Sequence, residues 1–450
     1  MDIHVFLDRL MARAAREDFE AFEAYYVAGS EFNVGVFGGE IVEYNVSSSL
    51  GLSFRALIGR RMGYASTQVL DEEALEMLID GARDNARLIE NEDEQFIYDG
   101  AGNYQALDAY NPAIDAMTAA EKIEQALKLE KAALSIDPRV AQVQQCGLMS
   151  VDGERRIVNS RGVNLRFRDN GYGFWVFPFA RDGDKTATGG KVCVSRDPSA
   201  LDVERAAREA VREAIDGLTA GAVPPGRYRV ALRNDVAADL LSTFSSVFSA
   251  DAAQRGLSLL RDREGSAIAS DALTIVDDPL SLAGLASSPF DGEGVPTARR
   301  AIVDRGVLTT LLHNLKTAKK QGVATTGHAS RPSYASPVGV APSNFYIEPS
   351  AEPAEALYAR LGDGLLITEL SGLHSGANQV SGDFSLGAKG YLIQQGAIAR
   401  PVNQITVAGN FFALLKDVEM VAGDLQFGMP GGSCTGSPTI LVSSLAVAGA

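Results

Sequence analysis

The sequence predicts an α+β fold, with mixed helix and antiparallel-sheet domains in the N-terminal half followed by a β-rich C-terminal domain. Three observations carry this. In the first half, helical periodicity and hairpin-like strand pairs are mixed without a strict βαβ alternation. The stretch Thr219–Gly226 contains Pro224-Pro225-Gly226 and forms the clearest boundary in the chain. Beyond it the apolar residues fall into short runs separated by Gly, Pro and Ser, which read as strands.

Each element has a local reason. Ile3, Phe6, Leu7, Leu10, Met11 and Ala14 share one helical face. Glu23–Ala28 reads as a strand, and Phe32–Phe37 and Ile41–Val46 flank the hairpin signal Gly38-Gly39. Leu50–Leu57 and Met62–Ser66 continue as strands that turn at Gly59. Asp71 caps a helix carrying Leu75, Leu78, Ile79, Ala82 and Ala86, with acidic residues at its positive end. Residues 91–117 are acidic and turn-rich, and a linker is expected there. Thr118-Ala-Ala-Glu121 is a capping box opening a helix through Leu134. Strands are expected at Val140–Val151, Arg155–Asn159, Val163–Ala180 and Lys191–Val194, with turns at Asp152-Gly153, Arg161-Gly162 and Asp182-Gly183. Ser199 is expected to cap the helix that carries Val203, Ala207, Val211 and Leu218.

These signals divide the chain into an N-terminal domain (1–90), a linker (91–117), a middle domain (118–222) and the β-rich domain (223–450). The last opens with a strand at Tyr228–Leu232 and a helix from about Asp235 bearing Leu240, Leu241, Phe244 and Phe248. Further apolar runs then read as strands, among them Phe345–Ile347, Leu365–Leu370, Tyr391–Ile393, Ile405–Val407, Phe411–Val421 and Thr439–Val442.

Composition excludes several classes of function. An apolar content of 46% against 22% charged residues supports a buried core. A net charge of −16 disfavours nucleic-acid binding, which needs cationic side chains to displace counterions. Cys146, Cys193 and Cys434 are widely spaced, so neither a disulfide framework nor a cysteine-based zinc site is expected. No signal peptide or membrane span is read, which leads to an expected cytoplasmic location.

The most chemistry-bearing stretch is Ser371–Ser385, where His374, Ser375, Asn378, Ser381 and Asp383 stand among glycines. A glycine-rich polar loop of that length between strands is either functional or mobile. A Ser/His/Asp triad is disfavoured, because adjacent His374 and Ser375 side chains do not converge and no GxSxG elbow is present. Ser381 and Asp383 are expected to bond backbone N–H groups and hold the loop's shape. Asp291 and Glu293, in Ser288-Pro-Phe-Asp-Gly-Glu-Gly-Val-Pro296, pair two carboxylates with turn formers, so acid–base work and turn building are both open readings. Arg299, Arg300, Lys316, Lys319, Lys320 and Arg331 form a basic cluster, read as a solvated face or as a docking surface for an acidic partner. Trp175 reads as core.

Several ordered motifs resemble one family. They are Ser288–Pro296, Gly306-Val-Leu308, His313-Asn314, Ala318-Lys-Lys320, Ser343-Asn-Phe345 with Ile347-Glu-Pro349, His374-Ser-Gly376, Ser381–Ser385 and Ala408-Gly-Asn410. Together they resemble the TldD/PmbA metallopeptidase family, and more closely its PmbA (TldE) branch. The family's older name invokes modulation of DNA gyrase, to which the acidic charge balance lends no support as DNA contact. The resemblance implies a dimer of a TldD-type catalytic subunit and a TldE-type partner, with an extended peptide in an internal channel. It also implies zinc on an HExxxH helix of the TldD branch, with a further cysteine ligand near the position of Cys434. Here the corresponding helix, Asp239–Ala250, contains neither His nor Glu, and His4, His313, His328 and His374 show no ligand-pair spacing. The resemblance therefore implies a non-catalytic partner subunit with no cofactor of its own, zinc being expected in the partner. A homodimeric peptide-binding or assembly protein is the alternative. In either case His374, Ser375, Asn378, Ser381, Asp383, Asp291 and Glu293 are the candidate peptide or partner contacts.

Overall fold

The computed structural model describes residues 1–89 and 93–449, so residues 90–92 of the expected boundary and linker lie outside the described residues. The N-terminal half is one sheet, not two. β1 (Ala21–Phe37), β2 (Glu40–Ile58) and β3 (Arg61–Thr67) form a meander, and β1 also pairs antiparallel with β4 (Val140–Asn159). β5 (Asn164–Asp182) follows β4, and β6 (Lys185–Thr188) and β7 (Lys191–Ser195) pair with β5. The segments read as N-terminal and middle domains thus share a continuous ladder.

Side-chain alternation decides what each face of that sheet meets. Phe22, Ala24, Tyr26, Phe32, Val34 and Val36 of β1 all point to one face, where the helices lie. α1 (Ile3–Ala14) and α2 (Glu72–Leu88) cover one end through Phe6, Leu10, Leu75 and Leu78. α3 (Pro112–Ala116), α4 (Ala119–Ile136) and α5 (Val203–Gly217) cover the other through Ile114, Leu129, Ala207 and Val211. The expected caps form at Asp71 and at Thr118, where the Glu121 capping box is complete. The helix at 203 is capped by Asp202, not Ser199, which sits in a short turn capped by Asp197.

Three local readings are corrected. Asp152-Gly153 is not a turn: Gly153 pairs with Gly29 inside the β1–β4 ladder, where the small residues let the strands run on. Trp175 is only half-buried, lying over Gly147 on the face without helices. The expected linker is packed: Ile97 and Ala109 are buried, and the Tyr104 hydroxyl donates to Gly294 O at 2.7 Å.

In the C-terminal half β8 (Gly226–Leu232) leads into α6 (Asn234–Phe244) and α7 (Ala250–Gln254). β9 (Ile275–Asp277), β10 (Arg300–Asp304) and β11 (Val307–Leu308) precede α8 (Leu315–Gln321). The short pair β12 (Ala329–Ser330) and β13 (Gly339–Val340) is followed by β14 (Asn344–Ile347) and α9 (Ala354–Leu361). Then come β15 (Gly364–Ser371), β16 (Asp383–Gln394), β17 (Ala397–Asn410), α10 (Phe411–Lys416) and β18 (Val418–Val421). β19 (Gln426–Phe427), β20 (Cys434–Ser437) and β21 (Ile440–Gly449) complete the set.

Strands β17, β16, β15, β8 and β21 close on themselves, because β17 also pairs with β21, and β18 extends this ring beside β21. A second sheet runs β11-β10-β9-β14-β20-β19. α6 contributes Leu240, Leu241 and Phe244 to the large core these sheets share, and Phe244 stacks on Phe411 with centroids 4.6 Å apart. The expected strand Phe411–Val421 begins instead as α10, because Asn410 caps it by accepting from the N–H groups of Phe412 and Ala413. No helix among the described residues is long and apolar enough to cross a membrane.

Candidate functional site

The residues proposed from sequence separate into two places. The loop between β15 and β16 is exposed and is shaped by its own polar groups. Asn378 accepts from the N–H groups of Val380 and Ser381 at 3.0 and 3.1 Å, an Asx turn. The Ser381 hydroxyl accepts from Asp383 N–H at 3.3 Å, as expected of a shaping residue. Asp383 departs from expectation by accepting from the Asn410 side chain at 2.9 Å, a bond that joins the loop to the α10 cap. That bond and the Ser381 hydroxyl hold its carboxyl below the usual range. His374 and Ser375 are exposed at the loop tip, and the Ser375 hydroxyl donates to the carbonyl of Gly372 at 3.4 Å.

Asp291 and Glu293 are instead buried beneath the helix-free face of the first sheet. Asp291 accepts from the N–H groups of Glu293, Val295 and Ala329 at 2.9 to 3.0 Å, so its turn-forming reading describes its contacts. Burial, and then Glu293 beside it, push its carboxyl above the ordinary range. Glu293 accepts from the first N–H of α8, that of Leu315, at 2.9 Å. It also lies 3.5 Å from Arg55, which forks onto Glu23 at 2.9 and 3.2 Å. Arg331 pairs with the same Glu23, bonds Gly292 O at 2.8 Å and stacks over Tyr25. This network ties β1 and β2 to the C-terminal half, and in it Glu23 and Glu293 face the guanidinium groups of Arg55 and Arg331.

Most of the basic cluster is likewise engaged within the chain. Arg299 pairs with Glu348, Arg300 bonds Thr326 O, and Lys316 and Lys320 pair with Asp93.

A feature that local sequence patterns did not reveal is a cleft between the two halves. A cavity of about 650 Å³ opens between Gly190 and Lys191 beside β7, the polar side of α6 (Asp235, Asp239, Ser242), and Gln426 and Phe427 of β19. Arg233 lines it too, forking onto Asp235 at 2.7 Å twice, pairing with Glu213 and bonding Thr368 O at 2.8 Å. The Asp239 carboxylate makes no hydrogen bond or ion pair among the described residues, while the backbone carbonyl of Asp239 accepts from the Thr243 hydroxyl at 2.8 Å. Protein crowding, and then Asp235, raise its carboxyl to about 6, although water in the cleft still reaches and screens it. The signal available in the sequence was Asp235, Asp239 and Ser242 at helical spacing on a helix whose other face is apolar.

The residues of this cleft do not fit a hydrolytic zinc, which takes about three protein ligands and an open position. Asp235 is committed to Arg233, and α6 carries no imidazole. Cys434 is buried with its Sγ 3.5 Å from Gly428 O, and burial raises its thiol. His328 bonds Asp277 at 2.9 Å, His313 contacts Thr317, and His4 lies against Arg156. Among the described residues no three His, Cys, Asp or Glu side chains gather as a metal site.

Comparison with known proteins adds three domain matches. Family models described as PmbA/TldA metallopeptidase domain 1, central domain and C-terminal domain match residues 22–86, 112–218 and 225–449. A "Metalloprotease PmbA homolog" of Haemophilus influenzae is 30% identical over 86% of this chain and 83% of its own length. "Metalloprotease PmbA" of Escherichia coli O157:H7 is 29% identical over the same shares. Among solved structures, a Thermotoga maritima protein provisionally assigned as a modulator of a DNA gyrase aligns with a TM-score of 0.91 at 31% identity, covering 99% of this chain and 100% of that one. TldE of Thermococcus kodakarensis has the same fold, with a TM-score of 0.91 at 22% identity over 99% of this chain and 100% of that one.

Proposed function

The chain belongs to the PmbA/TldD metallopeptidase family, and on that premise we propose that it is the TldE-like subunit of a TldD-type peptidase. In this reading it shapes a channel for an extended peptide, and the partner supplies the zinc and the chemistry. The observation that carries the reading is the cleft over α6. It has room for a peptide, yet the helix beside it offers no imidazole. Two strand edges border it. β7 pairs only with β5, and β19 only with β20, among the described residues. A peptide in extended form gains main-chain hydrogen bonds at such edges.

A partner surface is also at hand. β3 covers β2 only from Leu52 onward, so the Glu40–Gly51 half of β2 is an edge. It exposes Ile41, Val42, Tyr44 and Val46, with 46 to 65% of each accessible. It also lacks the Lys and Pro that commonly guard edge strands. Mixing the purified chain with a TldD-type subunit is expected to give a stable complex and a zinc-dependent peptidase that neither protein shows alone. A mixture that neither associates nor cleaves would sink the proposal.

The second reading, a homodimeric peptide-binding protein, is favoured by the same edge. An antiparallel self-pairing centred on Tyr44 sets Val42 against Val46 and Glu43 against Asn45, so no like charges meet. Sedimentation of the chain alone, and of Tyr44→Lys, separates the two: a tight dimer lost in the variant supports self-assembly.

A further inference from the structure

Building on the peptide-cleft reading, we propose that Asp239 anchors a cationic group of the bound peptide, either its α-ammonium or a Lys or Arg side chain. The argument is a pairing of charges. Arg233, which lines the cleft, pairs with two carboxylates, Asp235 and Glu213. Lys191 is matched by Glu209 at 3.1 Å, and Glu369 by Lys389 at 2.8 Å. Each of these groups lining the cavity therefore has an opposite charge of the protein beside it, and Asp239 is the lining carboxylate that has none among the described residues.

Its position makes that surplus usable. Asp239 lies one turn beyond Asp235 on the face of α6 that lines the cavity, beside Ser242 and between the β7 and β19 edges. A chain lying against either edge passes within the same cavity. An ionised carboxylate crowded by protein and lacking a partner disfavours the empty protein, and an incoming cation relieves that cost. A neutral or acidic peptide brings no such relief.

The test uses the full-length purified chain near neutral pH and four octapeptides of alanine and threonine, labelled at the C-terminus and followed by fluorescence anisotropy. One has a free amino terminus and one is acetylated; a third is acetylated with a central lysine, and a fourth has norleucine in its place. Because Asp239 is open to solvent its charge pairing is screened, and a cationic peptide is expected to bind about twofold to fivefold more tightly than its neutral twin. Asp239→Asn should erase that preference while melting no lower than the wild type, whereas Asp239→Glu should retain it. A merely structural Asp239 would not link charge preference to one side chain in this way. The free-amine and lysine arms tell which source of the cation is read. Equal binding of cationic and neutral peptides, or a preference that survives in Asp239→Asn, overturns the anchor and leaves the peptide cleft standing. Failure of all four peptides to bind the wild type overturns both.

Discussion

Two charged regions of this protein lie between the same two halves and behave in opposite ways. Beneath the first sheet, Glu23, Arg55, Glu293 and Arg331 are buried and fully matched. In the cleft, Asp239 is open to solvent and unmatched. A buried charge with its counter-charge in place fixes geometry and asks for nothing more, because removing either member leaves the other stranded. A charge without a partner has its interaction still to make. Matched and unmatched charges thus divide the interface into a part that holds the halves together and a part that is available to a ligand.

The sharpest way to break this contrast is Glu23→Gln. It leaves Arg55 and Arg331 without their shared carboxylate, and the expected loss is about 3–5 kcal/mol in urea unfolding near neutral pH. A loss within the ordinary surface range would show that the network is not the fastening between the halves. Next in size is Gly189→Ala at the cleft's rim. A Cβ there would lie 2.1 Å from Ala210 O of α5, so the helix must move off the sheet. The expected cost is about 1–3 kcal/mol, with weakened peptide binding. An unchanged melting temperature would show that α5 yields freely.

The smallest effect has the opposite sign. The Asp239 carboxyl ionises near 6 in the fold against 3.8 for an unperturbed carboxyl, so the fold binds its proton more tightly than the unfolded chain does. Its contribution favours folding while the group is protonated, below the unfolded value, and is lost as pH rises through the folded one. Asp239→Asn should therefore melt slightly above the wild type at pH values above about 6, with the gain shrinking as pH falls from about 6 and gone below about 4. Thermal melts across that window check the sign. A variant less stable than the wild type at neutral pH would mean that Asp239 has a partner in the protein after all.

Legibility from sequence followed locality. The Gly38-Gly39 hairpin, the Thr118–Glu121 box and the Asp71 cap each depend on a few adjacent residues, and each stands where expected. Asp152-Gly153 misled because its fate is set by Gly29 on another strand. Asp291 makes the turn bonds that its sequence setting allows, but the burial of Asp291 and Glu293 depends on Arg55 and Arg331, far away in the chain. The cleft was invisible for the same reason: Lys191, Asp239 and Phe427 come from three separate segments, none with a motif of its own.

The ring in the C-terminal half carries a consequence for timing. β8 is hydrogen-bonded on one side to β15 and on the other to β21. On the ribosome it emerges long before either neighbour has been synthesised, and such distant pairings are slow to form. Until they arrive, Val230 and Leu232, fully enclosed in the finished molecule, are exposed on a bare ribbon. The nascent chain thus passes through an interval in which a chaperone, or the already completed first sheet, must shield that ribbon from aggregation.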